Sequence, residues 1–341
     1  MRRMRQSQEG FTLVELLVVI GIIAILVGIL LPVLNSAREK ANTIKCAANL
    51  RSVGQGIAMY CASYKGALPA SYYYDGMQIA NGVQTPEAAV NGYVHWSSFL
   101  YGENAGGSGN GVSGPEAFTC PTIENGGLPP TNTTAGNRDD GQTNDDGEGV
   151  VDKQAPRVAF TLNEALCPRN KFVVGFQGAA RRYRFVKAGS VRNNGNTILG
   201  TEWNQSWRIV ADAGRGSGGD TVCKSHRPVH GFVGLGGQLN MDTLAPDAFG
   251  GRPTYRRVTL NDLAANPQVG ETSGTRLDWV GRNHDHRKLS TVSGRSGVDT
   301  RRTNFLYLDG HVETKHIFET IEPFQWGEEF YSLQPSNDVA N

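Results

Sequence analysis

Glu15 is the only ionisable side chain in the apolar run FTLVELLVVIGIIAILVGILL, Phe11 to Leu31. A carboxylate in hydrocarbon costs about 2.5 to 3.5 kcal/mol on insertion scales, so such a residue needs a cationic partner and usually has a role. Cleavage between Gly10 and Phe11 would create that cation. The new α-amine at Phe11 would lie one helical turn from Glu15 and pair with it within or between subunits. Gly10 and Phe11 are therefore candidate processing residues, and Glu15 is a candidate assembly residue.

Two further groups carry ligand chemistry. His284, His286, Asp309 and His311, with Asp285 among them, offer nitrogen and oxygen donors for a metal if folding gathers them. Asp139, Asp140, Asp145 and Asp146, with Asn144 and Glu148, form an oxygen-rich stretch suited to Ca2+ or another divalent metal, though not at EF-hand spacing. In both groups the plainer reading is preferred: a structural hairpin for the first and a solvated acidic loop for the second. The five cysteines, Cys46, Cys61, Cys120, Cys167 and Cys223, include no CxxC pair, so spacing gives no sign of a thiolate zinc site. Cys46 and Cys61 on one helix would be about 22 Å apart, beyond the about 7 Å between Cα atoms that a disulfide tolerates. The pairing of the remainder stays open. No Walker loop, HExxH or GxSxG is present, and no enzymatic activity is expected.

The elements that must position these residues begin with a membrane span over about residues 11–33, long enough for a bilayer core of about 30 Å. Arg2, Arg3 and Arg5 favour a cytoplasmic N-terminus, against a weaker opposing vote from Arg38, Lys40 and Lys45. The run is too long for an ordinary signal peptide and lacks a small-residue cleavage site. Glu15 argues against a plain signal anchor. Pro32 cannot donate a backbone hydrogen bond and frees the carbonyl of Gly28, so this pair marks a candidate kink. Beyond it, Cys46, Leu50, Val53, Ile57, Tyr60 and Tyr64 recur at helical spacing and predict a face that packs on a head. Gly66 and Pro69 end the helix. The expected organisation is a basic leader at 1–10, a helix at 11–64 and an extracytoplasmic head at 65–341.

In that head, the runs RVAFTL, RRYRFV and NTILGTEW alternate with glycine- and asparagine-rich turns, which predicts antiparallel β structure. Most of the 43 glycines follow position 100. The stretches GENAGGSGNGVSG and GGLPPTNTTAGNRDDGQTNDDGEG predict exposed loops, since they have little apolar surface to bury. NFLYL, Asp309-Gly310 and HVET predict a hairpin on a two-residue type I′ turn. With 33 basic and 32 acidic residues there is no global basic field, and nucleic acid is not an expected partner.

The segment GFTLVELLVVIGIIAIL, with basic residues before it, resembles the class III signal of type IV prepilins and type II secretion pseudopilins. The resemblance implies cleavage after Gly10 by a prepilin peptidase, N-methylation of Phe11, and Glu15 as the acidic residue that aligns incoming subunits. It implies an α+β, pilin-like fold, with a long N-terminal α-helix, membrane-spanning in its first half, packed on a C-terminal antiparallel β-sheet head with long loops. Implied partners are other pilin-like subunits, the inner-membrane assembly machinery and membrane lipid. The implied location is single-pass in the inner membrane, with a cytoplasmic N-terminus and a periplasmic or extracellular head, in a filament where assembly occurs. RNHDHRKL and the Asp309-Gly310 turn resemble the H-X9-DG region of large prepilin-like proteins, notably those of planctomycetes, and FTCP, TLNEAL and NTILGTE fit the same pattern. Here an insertion separates His284 and His286 from Asp309. The expected role is a pseudopilin or minor pilin. The competing readings are a displayed polysaccharide-binding module and, behind it, a tethered enzyme.

Overall fold

The computed structural model describes residues 12–74, 79–80, 83–84, 92–101, 114–145, 149–169, 182–213, 221–234, 254–267, 275–285, 291–334 and 338–340. The chain divides into two units, Met1–Ala41 and Asn42–Asn341.

In the first unit, helix α1 (Leu13–Ser63) begins at Leu13 and passes Pro32 without interruption. Every large apolar side chain from Leu13 to Leu34 is exposed, from 45% at Val19 and Val27 to 79% at Leu13. This stretch is long and apolar enough to cross a membrane.

The second unit is built round a four-stranded antiparallel sheet. Its strands are β1 (Phe160–Leu162), β2 (Ile198–Glu202), β3 (Thr303–Tyr307) and β4 (Val312–Lys315), in spatial order β4-β3-β2-β1. Strands β1, β2 and β3 are buried at every position, their polar residues Thr161, Thr201, Glu202, Thr303 and Asn304 included. The last part of α1 packs into the same core through Cys46, Leu50, Val53 and Ile57. Tyr60 lies at the edge of this core, and Tyr64, half exposed, stacks on it at 4.2 Å. The division between units thus falls within α1 rather than at its C-terminal end. The sequence stripe marks the part of the helix that belongs to the head. At the C-terminus Lys65 and Gly66 both take positive φ, and Gly66 N donates to Cys61 O, a Schellman-type close.

Three expectations need correction. The head is not purely antiparallel, because Gln142–Thr143 runs parallel to Thr221–Cys223, and Thr254–Arg257 runs parallel to Asp338–Ala340. The β3–β4 hairpin has a three-residue loop rather than a type I′ turn. Tyr307 N donates to His311 O, Gly310 N donates to Tyr307 O, and of Asp309 and Gly310 only Gly310 has positive φ, at 93°. The stretch starting at Gly126 is not wholly exposed, since Gly127 to Thr133 are buried. Its polar groups are met inside the fold: Asn132 N and Nδ2 donate to Asp152, and Thr131 Oγ1 lies 2.6 Å from His226 Nδ1. Gly127 permits this course, because a Cβ there would come within 2.7 Å of the Val158 backbone. The predicted loop at 102–113 lies outside the described residues.

Candidate functional site

At the start of α1 the Glu15 carboxylate closes a capping box. Thr12 N and Thr12 Oγ1 donate to Glu15 Oε2 at 2.9 and 2.7 Å, and Glu15 N donates back to Thr12 Oγ1 at 3.3 Å. Such a carboxylate satisfies helix N-terminal donors and suits the positive end of the helix dipole. Gly10 and Phe11 lie outside the described residues. Gly28 and Pro32 lie within continuous helix, and a Cβ added at Gly28 would have nothing within 4 Å.

A second constellation lies in the head core. Glu202 closes β2, a carboxylate at the end of an otherwise uncharged buried strand. Thr303 and Asn304, at the start of β3, face it: Thr303 Oγ1 donates to Oε2 at 2.9 Å and Asn304 Nδ2 donates to Oε1 at 2.7 Å. His284 is held by an antiparallel bridge to Arg302, which sets its Nε2 2.8 Å from Glu202 Oε2. Asn304 also donates to Thr43 O of α1 and accepts from Thr314 Oγ1, so this amide connects the helix, the acid and strand β4. Glu202, His284, Thr303 and Asn304 are all inaccessible to solvent.

The Cys46–Cys120 disulfide borders this centre. Cys46 comes from α1. Cys120 follows a loop that Asn49 of the same helix holds, its Nδ2 donating to Glu116 O and Thr119 O. Sequence spacing gave no sign of two cysteines meeting, because 74 residues separate them. Glu202, Thr303 and Asn304 were also missed, although one acidic residue ending the apolar run ILGTE was a readable signal.

The residues expected to share a metal are dispersed. His284 pairs with Glu202, whereas Asp309 and His311 pair with each other at the hairpin, Oδ1 to Nδ1 at 2.6 Å. His286 and Asp146 lie outside the described residues. Asp139 accepts from both terminal nitrogens of Arg157 at 2.8 and 3.0 Å, and Asp140 lies 4.0 Å from Arg208. Asp145 accepts from Lys224 Nζ at 2.6 Å and Tyr93 Oη at 2.9 Å. Each described carboxylate of that acidic stretch therefore faces its own cation, and they do not converge on a common point.

Two buried thiols and three buried imidazoles are held neutral. Burial pushes the Cys223 thiol up to about 12 and the Cys167 thiol well above its ordinary value, which makes both poor nucleophiles. Burial lowers His95 to about 3, and His230 and His316 to about 4. In all three, Nδ1 accepts from the backbone N–H two residues on, at Ser97, Phe232 and Phe318. These contacts select the neutral imidazole.

The long apolar helix that opens on the Thr12–Glu15 box precedes an α+β head, and its N-terminal segment is of prepilin type by sequence. Residues 5–31 match the family described as the prokaryotic N-terminal methylation motif. Over 55 residues, 16% of this chain, the sequence is 46% identical to the type IV wide pilus major component PilA4 of Thermus thermophilus. The match spans 42% of that relative's length. No solved structure matches the chain.

Proposed function

We propose that the chain is a structural subunit, a pseudopilin or minor pilin, of a type II secretion or type IV pilus-like filament. In this reading a prepilin peptidase removes the leader after Gly10, and Phe11 is N-methylated. Before assembly the protein sits in the inner membrane, with its basic leader in the cytoplasm and its head outside. The observation that carries the proposal is Glu15 standing alone as an ionisable group in an exposed apolar stretch, inside the residues 5–31 that match the N-terminal methylation motif. Thr12 satisfies the carboxylate in the uncleaved chain. Cleavage adds a cationic amine within a turn of it, and a neighbouring subunit's amine becomes an equivalent partner in a low-dielectric bundle. The exposed apolar side chains then pack first against lipid and later against other subunits.

Mass spectrometry of protein recovered from the native cell tests the processing, and a chain beginning at N-methylated Phe11 is expected. Glu15→Ala is expected to remove the protein from sheared filaments while leaving it in the membrane fraction. Unchanged incorporation of that variant would refute the assembly role of Glu15.

A further inference from the structure

The disulfide and the acid–imidazole pair of the head core form one centre. One donor atom from each of Cys46, Cys120, Glu202 and His284 lies within 4.8 Å of the other three, and all four residues are buried. We propose that the dithiol form of this centre binds one tetrahedral divalent cation of the zinc class, with these four side chains as ligands.

Two thiolates, an imidazole and a carboxylate are the donor types that zinc takes in closed four-coordinate sites. Their formal charge with a divalent ion is that of the Cys3His sites that occur widely. The four ligands come from separate places in the fold: α1, the loop held by Asn49, the end of β2 and the bridge to β3. Second-layer support is already in place. Thr303 and Asn304 each donate to a Glu202 oxygen, and outer partners of this kind orient metal ligands.

Two features of the disulfide form are costly, and a cation relieves the first. Glu202 is buried, and among the described residues no lysine or arginine forms an ion pair with it; its facing groups are His284, Thr303 and Asn304. His284 Nδ1, also buried, has no hydrogen-bond partner among the described residues. A bound cation takes a Glu202 oxygen and one ring nitrogen of His284 as ligands, and so offsets the buried carboxylate with a positive charge.

The two forms interconvert by a balanced exchange. A dithiol reductant attacks the disulfide, leaves as its own disulfide, and delivers two electrons and two protons to Cys46 and Cys120. The sulphurs part to the about 3.8 Å that a shared tetrahedral zinc imposes, and the cation displaces both protons. Each form ties α1 to the head core.

The test uses the full chain in detergent, reduced with a phosphine and titrated with Co2+. We expect saturation at one cobalt per chain, with tetrahedral d–d bands and thiolate-to-cobalt charge transfer, and displacement by Zn2+. The oxidised chain should show neither band. The double variant Cys46→Ser, Cys120→Ser should lose the charge transfer while the other three thiols remain, and His284→Ala should weaken cobalt binding by about tenfold or more. A reduced chain that keeps its circular dichroism and shows no charge transfer overturns the proposal. Should reduction collapse the fold, recovery of the circular dichroism on adding Zn2+ supports the site, and failure to recover overturns it.

Discussion

At the scale of single residues, the head relies on polar side chains that are fully committed. Asn304 is the clearest, since one amide serves Glu202, Thr43 O and Thr314. Asn304→Ala should cost about 1 to 3 kcal/mol by leaving buried partners unmet, read as a lower urea midpoint for the full chain in detergent. The acidic stretch offers an internal comparison. The Asp139 side chain is 7% exposed and gripped by both terminal nitrogens of Arg157, whereas that of Asp140 is fully exposed. Asp139→Ala should lower the same midpoint, and Asp140→Ala should leave it where it is. A calcium-dependent midpoint that vanished in both variants would instead restore the cation-loop reading.

At the scale of elements, α1 changes its job along its length. From Leu13 to Leu34 its apolar side chains are all exposed, while Leu50 and Val53 are buried. Leu50→Ala should therefore destabilise the head by about 2 to 5 kcal/mol. Leu26→Ala should leave head unfolding unchanged and act only on insertion or incorporation. The Cys46–Cys120 link closes a loop of 74 residues. On chain-entropy grounds, reducing it in the presence of a chelator should cost about 4 kcal/mol, visible in the same unfolding midpoint. The β3–β4 turn depends on Gly310 at φ 93°, and Gly310→Ala should cost about 1 kcal/mol through strain at that position.

At the scale of the whole molecule, the buried histidines predict an acid-sensitive fold. His95, His230 and His316 have folded pKa values lowered to between about 3 and about 4, against an unfolded value near 6.5. Below pH of about 6.5 the unfolded chain binds protons that the folded chain refuses. The stabilisation is complete above that pH and is lost as pH falls toward the folded values. Each histidine contributes a slope of about 1.4 kcal/mol per pH unit in this window. The unfolding midpoint should fall steadily from about pH 6.5 to about pH 5, and a flat profile would show that these imidazoles are reachable by protons in the folded state.

The sequence by itself determined the apolar span, the lone Glu15, the helical stripe from Cys46 to Ile57 and the existence of the β3–β4 hairpin. These are local patterns, written by neighbours within a turn of helix or across one tight loop. Tertiary structure decided what Cys120, Glu202 and His284 do, which cation each acidic residue faces, and why the polar segment from Gly127 to Thr133 is buried. Glu202 and His284 are 82 residues apart, and Cys46 and Cys120 are 74 apart. Contacts at such separation follow from which loops the packed sheet closes, and loop-closure entropy depends so weakly on length that spacing along the chain does not choose among partners.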